Sequence, residues 1–152
     1  DLAVDAAALD TAPRGSGLLV ASPLPGQTPL VACKAVTHYS VKWPWVRERG
    51  GPHVLRVSYG RAGVPTVEPS LGETLADIET LFDVRIDPEQ VRATRTVRFA
   101  NSLPPHTPAH RARVAELAAT VAGTPGLALA GSWFAGTGLA AVLPMPPGAG
   151  FY

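Results

Sequence analysis

Cysteine is nearly missing from the sequence, which has 152 residues and a single thiol, Cys33, in the run "LVACKAV". One thiol cannot form a disulfide within the chain, so a disulfide-stabilised scaffold is excluded. Most of the neighbours of Cys33 are apolar. We therefore expect a buried, small apolar side chain and not a reactive nucleophile.

Charge is also scarce, because only 16% of the residues are charged, with 13 Lys and Arg against 12 Asp and Glu. The basic residues are scattered along the chain. A surface that binds nucleic acid needs clustered positive charge, so a nucleic-acid partner is not expected.

Long apolar runs and metal-ligand spacings are lacking as well. No apolar stretch reaches about 18 residues without interruption, and the start "DLAVDAAALD" carries acids where a signal peptide carries bases. Of the histidines, only His106 and His110 are closely spaced, and prolines stand beside them. We expect a soluble, cytoplasmic protein without a bound metal, and leave a peripheral membrane contact open.

Apolar residues, at 46% of the chain, are numerous enough to bury a core. Three strand-like runs come first: "GSGLLVAS" (15–22), the beginning of "LVACKAVTHYSVKWPWV" (30–46) and "HVLRVSYG" (53–60). Short connections rich in glycine and proline separate them. This arrangement predicts an antiparallel sheet.

A helix and a further strand are predicted next. Ser70 and Glu73 have the spacing of a capping box, and apolar residues follow at helical intervals, namely Leu71, Leu75, Ile78 and Phe82. Asp77 and Glu79 are expected on the solvated side of this helix. The run "VRATRTVRF" (91–99) alternates apolar and polar residues, as a strand with one buried face does.

The last third of the chain predicts helix, strand, turn and helix. Thr107 and Pro108 suit the start of a helix that Gly123 can end. The stretch 127–130 reads as a strand covered on both faces, and a glycine turn then leads into a helix from about Leu139. The fold class is therefore α+β, and its final strand and helix look like the closing piece of a nucleotide-binding sheet.

The glycine turn, Gly131, Gly136 and Gly138, admits two interpretations. Glycines allow close backbone approach, and free N–H groups at a helix start favour a phosphate or an electron-rich oxygen. A turn that only packs a helix against a strand would use the same glycines. The third glycine of G-x-G-x-x-G is missing, so the chain lacks a dinucleotide fingerprint of its own.

Four segments together resemble one enzyme family. In order they are "KAVTHYSVKWPWV", "HVLRVSYGR", "RTVRFANSLPPHTPAHRARV" and "PGLALAGSWFAGTGLAAVLP". They are similar to the carboxyl-terminal half of the bacterial protoporphyrinogen and coproporphyrinogen oxidases, which are FAD-dependent members of the flavin amine-oxidase superfamily. The resemblance covers roughly residues 5–143.

The resemblance implies an antiparallel substrate-domain sheet in residues 1–98, and the closing strand and helix of a Rossmann-like FAD-binding domain in residues 99–152. It implies a portion of an oxygen-dependent enzyme of heme biosynthesis that moves a hydride from a porphyrinogen to the flavin. It places these residues against FAD: Gly131, Ser132, Gly136, Thr137, Gly138 and Leu139. No catalytic residue is assigned.

The same resemblance implies a partner, because the amino-terminal FAD-binding half must come from another chain or a missing segment. Lys42 and Trp43 are candidates for contact with the propionate and the face of a porphyrinogen, although a Trp in the core and a Lys at the surface would fit the sequence too. Two other interpretations stay open. In the first, the chain is a non-catalytic domain or remnant. In the second, it is part of an amine-oxidase-superfamily flavoenzyme with another substrate.

Overall fold

The computed structural model describes residues 1–47, 50–61, 64, 67–99, 107–129, 131–136 and 138. The chain divides into two compact units, Asp1–Val97 and Arg98–Tyr152. We call them the first and the second unit.

The first unit contains a five-stranded sheet. Its strands are β1 (Leu2–Val4), β2 (Gly17–Leu19), β3 (Ala35–His38), β4 (His53–Ser58) and β5 (Val91–Thr94). They lie in the order β2-β3-β4-β1-β5, and every neighbouring pair is antiparallel. The predicted α+β class and the antiparallel sheet are confirmed, and the three predicted runs supply β2, β3 and β4.

One short helix, one longer helix and three short stretches of 3₁₀ helix lie in the described connections of this unit. Helix α1 (Tyr39–Lys42) follows β3 directly, and α2 (Leu71–Phe82) is the long helix. The 3₁₀ turns are Ala7–Thr11, Pro44–Arg47 and Pro88–Gln90.

Helix α2 begins at the predicted capping box. The Ser70 hydroxyl accepts the N–H of Glu73 at 3.2 Å, and the Glu73 carboxylate accepts the N–H of Ser70 at 2.8 Å. Asp83 ends the helix in a left-handed conformation with φ at +54°. Two of the donors left over at the helix start are therefore satisfied reciprocally.

The core lies between α2 and one face of the sheet. Alternate strand residues point to it, so Leu2 and Val4 of β1 are buried while Ala3 between them is only half-buried. The strand and helix members of the buried cluster include Leu2, Val4, Val36, Leu55, Leu75, Ile78 and Phe82. Burying a side chain of this size contributes about 1.5–3 kcal/mol, so these residues hold the helix on the sheet.

Asp77 corrects one sequence-based prediction, because its side chain is buried and not solvated. One carboxylate oxygen accepts the N–H of Ala32 at 3.2 Å, and the other accepts the N–H of Cys33 at 2.9 Å. The acid points inward because the segment before β3 presents two backbone donors there. Cys33 itself is buried, as expected.

Strand β5 is shorter than the predicted 91–99. Beyond Arg95, whose N–H donates to the carbonyl of Asp1 at 2.9 Å, no described strand lies opposite it. Val97 and Phe99 are consequently exposed. The short strand β1, which the sequence analysis did not predict, limits the length over which β5 can pair.

The second unit contains α3 (Pro108–Ala122) and the single-turn helix α4 (Ser132–Ala135). The Thr107 hydroxyl caps α3 by accepting the N–H of His110 at 3.1 Å, as predicted. The predicted strand 127–130 is wrong for its described part, since residues 127–129 have no regular structure and Leu127 is 56% exposed. No strand in the described part of this unit can pair with it. The helix predicted from Leu139 lies outside the described residues.

Candidate functional site

The glycine turn of the second unit has positive φ angles, a backbone conformation that only glycine adopts easily. Gly131, Gly136 and Gly138 have φ angles of +118°, +96° and +95°. Gly131 precedes α4 and Gly136 ends it. The turn is thus built from three residues at which a side chain would be strained.

The space beside these glycines differs from one to the next. A Cβ atom on Gly131 would lie 3.0 Å from the Trp133 indole, so this glycine is needed for internal packing. A Cβ on Gly138 would meet no described atom within 4 Å. Among the described residues, nothing blocks the approach of a molecule to the backbone of Gly138.

A cleft of about 260 Å³ lies between α3 and α4, and we call it the α3–α4 cleft. Helix α3 contributes a polar rim, His110 and Arg111, and an apolar wall that includes Val114. The other side is formed by residues 132–136. His110 holds the two sides together, because its Nε2 donates to the carbonyl of Trp133 at 3.0 Å.

The charge of the second unit favours an anionic ligand. Its sequence contains three arginines, Arg98, Arg111 and Arg113, and one acid, Glu116. Within the described part of the unit, Arg111 forms no ion pair. An unpaired guanidinium at the rim of an apolar cleft can bind phosphate or carboxylate in two-pronged geometry.

The predicted cofactor residues are therefore only partly brought together. Ser132 and Gly136 line the α3–α4 cleft, Gly131 adjoins it through Trp133, and Gly138 follows with its open side. Thr137 and Leu139 lie outside the described residues. The helix expected behind the turn, from about Leu139, lies outside the described residues. Helix α4, which lies within the turn, is a single turn of four residues and is too short to add the field of a full helix dipole.

Lys42 and Trp43, the predicted substrate contacts, belong to a larger array in the first unit. The Lys42 ammonium lies 4.7 Å from the centre of the Trp43 ring, which stacks on Tyr39 at 4.7 Å. The Arg56 guanidinium lies 4.8 Å from the centre of the Tyr39 ring. We call these four residues the cation–aromatic ladder. Trp43 is half-buried and is not a member of the core cluster.

A shallow groove adjoins the ladder. It has a volume of about 260 Å³ and is bordered by Lys42. Apart from Ser16, its other lining residues come from β2 and β3 and include Gly17, Leu19 and Thr37. Gly17 has a φ of +128°, and a Cβ atom there would lie only 2.2 Å from the carbonyl oxygen of Val36.

Two buried histidines form a cluster that the sequence analysis did not find. His38 Nε2 lies 2.9 Å from His53 Nδ1, and His53 Nε2 lies 3.1 Å from the Asp10 carboxylate. Asp10 also forms an ion pair with Arg47, whose hydrogen bond lowers the pKa of the acid. We call these four residues the histidine cluster.

The ionised Asp10 fixes the hydrogens of both rings. His53 must donate to it from Nε2, so His53 Nδ1 is an acceptor and His38 donates to it from Nε2. Burial lowers the pKa of His53, and burial lowers the pKa of His38 to about 4. Both rings are neutral near pH 7, and His38 Nδ1 is buried without a hydrogen-bond partner in the described structure.

Ser40, His53 and Asp10 are the three residue types of a Ser-His-Asp catalytic triad. The Ser40 hydroxyl lies 3.4 Å from His53 Nδ1, but Ser40 is buried and its oxygen accepts the N–H of Val54 at 3.2 Å. A nucleophile needs a substrate within reach. The arrangement is therefore structural, and it ties β4 to α1 and to the 3₁₀ turn at Ala7–Thr11.

Burial raises the pKa of the Cys33 thiol to about 12, so this residue stays protonated and is no nucleophile. Among the described residues there is no group of three or more His, Cys, Asp and Glu side chains placed to hold a metal ion. No helix in the described part of the chain has the length and apolar character needed to cross a membrane.

Comparison with known proteins identifies no family. No family model matches the sequence, no curated protein matches it, and no solved structure is similar to it.

Proposed function

We propose that the chain is a portion of an FAD-dependent porphyrinogen oxidase of heme biosynthesis, acting in the cytoplasm or at a membrane surface on coproporphyrinogen III or protoporphyrinogen IX. The amino-terminal FAD-binding half comes from another polypeptide or another segment. The observation that carries the proposal is the glycine turn, with three positive φ angles beside the α3–α4 cleft.

The residues of the turn suit one side of a flat, anionic cofactor. No described atom lies where a side chain at Gly138 would stand, so the described residues leave room for a ring system to approach its backbone. Gly131, Ser132 and Gly136 complete this part of the proposed site, together with Thr137 and Leu139. Arg111 is placed to neutralise negative charge at the rim of the cleft.

FAD, when bound, supplies the hydride acceptor, and O2 is the final oxidant. The proposed role of this chain is to position the substrate and to shield the flavin from water. The glycine turn excludes side chains and water from one side of the ring system, while Lys42 and Trp43 orient the substrate by its carboxylates and its face. No proton-transferring residue is required of the chain.

The unpaired stretch at 127–129 supports a two-part assembly. It is apolar, as a central strand would be, but Leu127 is 56% exposed and no strand of the described second unit pairs with it. We propose that the missing half covers this exposed apolar stretch through an apolar interface of roughly 2,000 Å² or more, completing a Rossmann-like domain.

Co-expression tests the proposal. The chain is produced alone and together with a polypeptide that carries the missing βαβ unit and its G-x-G-x-x-G turn, and both preparations are incubated with FAD. We expect a stable complex with a flavin absorbance spectrum in the second preparation and weak FAD binding in the first. If the chain is a compact, cooperatively melting monomer in both preparations and neither preparation takes up flavin, the proposal is overturned and a non-catalytic domain is favoured.

A further inference from the structure

The histidine cluster has a second hydrogen-bond acceptor within reach of His53. The Nδ1 atom of His53 faces two groups, His38 Nε2 at 2.9 Å and the Ser40 hydroxyl at 3.4 Å. While both rings are neutral, His38 is the donor to this atom. The Ser40 oxygen accepts the N–H of Val54 at 3.2 Å, and a hydroxyl oxygen has two lone pairs, so it can accept one further hydrogen.

A proton on His53 Nδ1 changes which of the two neighbours is compatible. The imidazolium ring donates from both nitrogens. Its Nε2 already faces the Asp10 carboxylate at 3.1 Å, so that contact becomes an ion pair. Its Nδ1–H is repelled by the N–H of His38 and is accepted by the Ser40 oxygen. Both N–H groups of the protonated ring then have acceptors, and His38 loses its partner.

The charges that act on His53 come from three segments. Burial, followed by the charge of Arg47 in the turn Pro44–Arg47, lowers the pKa of His53. Asp10, in the turn Ala7–Thr11, and Asp5, which follows β1, act in the opposite direction. Arg47 is held beside the cluster because its Nε donates to the carbonyl of Gly51 at 3.0 Å. His53 therefore takes up a proton only in acid.

His38 is the less basic ring of the pair. Burial, followed by the charges of His53 and Arg47, lowers the pKa of His38 to about 4. From α2, the uncharged Phe82 ring meets His38 edge-on, and His38 Nδ1 is buried with no partner among the described residues. The first proton that enters the pair is therefore favoured on His53, next to Asp10.

His38 occupies the junction between a strand and a helix. It is the last residue of β3, and α1 begins at Tyr39 with no residue between them. The ring contact with His53 joins this junction to the first residue of β4, whereas the backbone pairing of His38 with Leu55 does not depend on it. Loss of the ring contact therefore frees the junction and leaves the strands paired.

We propose that the histidine cluster is a pH-sensitive switch, in which His53 exchanges His38 for Ser40 as its partner in mild acid. The exchange releases the junction of β3 and α1 while the sheet remains folded. The end of α1 carries Lys42 and Trp43, so the switch sets the pH range in which these two proposed substrate contacts are held in place. That consequence rests on the proposed function. The switch itself needs neither flavin nor a partner chain.

Nuclear magnetic resonance of the complete 152-residue chain tests the switch. A pH titration follows the ring nitrogens of His38 and His53 and the backbone amides of residues 39–43, while circular dichroism follows the sheet. We expect His53 Nδ1 to gain a proton at a midpoint below about pH 6.5. The amides of α1 should shift with the same midpoint, before the circular dichroism changes.

Variants separate the exchange of partners from a simple titration. Arg47→Gln should raise the His53 midpoint and Asp10→Asn should lower it, each by about half a pH unit or more. Ser40→Ala removes the second acceptor and should lower the midpoint, whereas Ser40→Thr keeps a hydroxyl and should leave it unchanged. Arg85→Gln is the control, because it removes an exposed cation that pairs with Asp87 outside the cluster.

The switch is overturned if the α1 amides change only when circular dichroism shows unfolding, because acid then acts on the whole first unit. It is also overturned if Ser40→Ala folds and leaves the His53 midpoint unchanged. If Ser40→Ala does not fold, Arg47→Gln and Asp10→Asn decide. Opposite shifts of the His53 midpoint, followed by the α1 amides, support the switch, and any other result contradicts it.

Discussion

His38 Nε2 donates to His53 Nδ1 in a hydrogen bond of 2.9 Å that requires the Nδ1 of His53 to carry no proton. A proton added to His53 would lie on Nδ1, facing the N–H of His38. A proton added to His38 would lie on Nδ1, which is buried and has no acceptor among the described residues. Protonation of His53 therefore breaks the contact that joins β3 to β4, and protonation of His38 leaves a buried, charged N–H without an acceptor.

This contact predicts loss of stability in acid. In the unfolded chain His38 binds a proton near pH 6.5, whereas burial lowers its pKa in the folded chain to about 4. Between these values the unfolded state binds more protons, so the stability is complete above pH 6.5 and decreases as the pH falls toward 4. The loss is at most about 3 kcal/mol, and urea unfolding at a series of pH values measures it.

The matched variants are His38→Leu and His110→Gln. His38→Leu lowers stability at neutral pH, but it should make the dependence between pH 6.5 and 4 shallower, and the remaining slope belongs to His53, whose pKa burial also lowers. His110→Gln, in the second unit, should leave that slope unchanged. A slope in His38→Leu as steep as in the unchanged chain would assign the acid sensitivity to a group other than His38.

Gly17→Ala should destabilise the first unit. The added Cβ would lie 2.2 Å from the Val36 carbonyl oxygen at a φ of +128°, so β2 must move away from β3. We expect a loss of about 2 kcal/mol or more. Gly72→Ala in α2 is the control, because its Cβ meets no described atom within 4 Å, and it should gain up to about 1 kcal/mol. Thermal unfolding of both variants gives the comparison.

Asp77→Asn should cost about 1–3 kcal/mol, because an amide has one acceptor oxygen for the two N–H groups of Ala32 and Cys33, and one of them is left unsatisfied. Glu79→Gln, on the exposed side of the same helix, should change the free energy of unfolding by less than about 0.5 kcal/mol. Chemical denaturation measures both. Equal effects would show that the Asp77 hydrogen bonds contribute little.

Gly138→Val tests the proposed flavin contact. Its added bulk occupies the open side of the backbone, so the reconstituted assembly should lose most of its bound FAD while the melting temperature without FAD falls only slightly. Gly126→Val is the control, since Gly126 also has a positive φ and open space but lies outside the glycine turn. If both variants lose FAD equally, the effect is one of backbone strain alone.

Local signals made much of the secondary structure predictable. The capping box at Ser70 and Glu73 and the Thr107 cap are formed by residues within four positions of each other, so the sequence contains all of their chemistry. Strand β4 was likewise predicted from its own composition. Glycines with positive φ could be anticipated at the turn because few other residues tolerate that conformation.

Interactions between distant residues could not be read in this way. The stretch 127–129 has the composition of a strand, yet a strand forms only where another strand pairs with it. Asp77 occupies a polar position of α2, and only the fold brings it to the N–H groups of Ala32 and Cys33. The histidine cluster likewise joins residues 10, 38, 47 and 53, whose spacing matches no familiar motif.

Strand β1 has three residues, yet it is the only connection between β4 and β5 in the described sheet. Leu2 pairs with Leu55 and with Thr94, so the sheet is complete only after segments far apart in the sequence have met. Bringing these segments together costs chain entropy before the new contacts offset it. We therefore expect the hairpin of β3 and β4 to form early in folding and the docking of β1 to limit the rate.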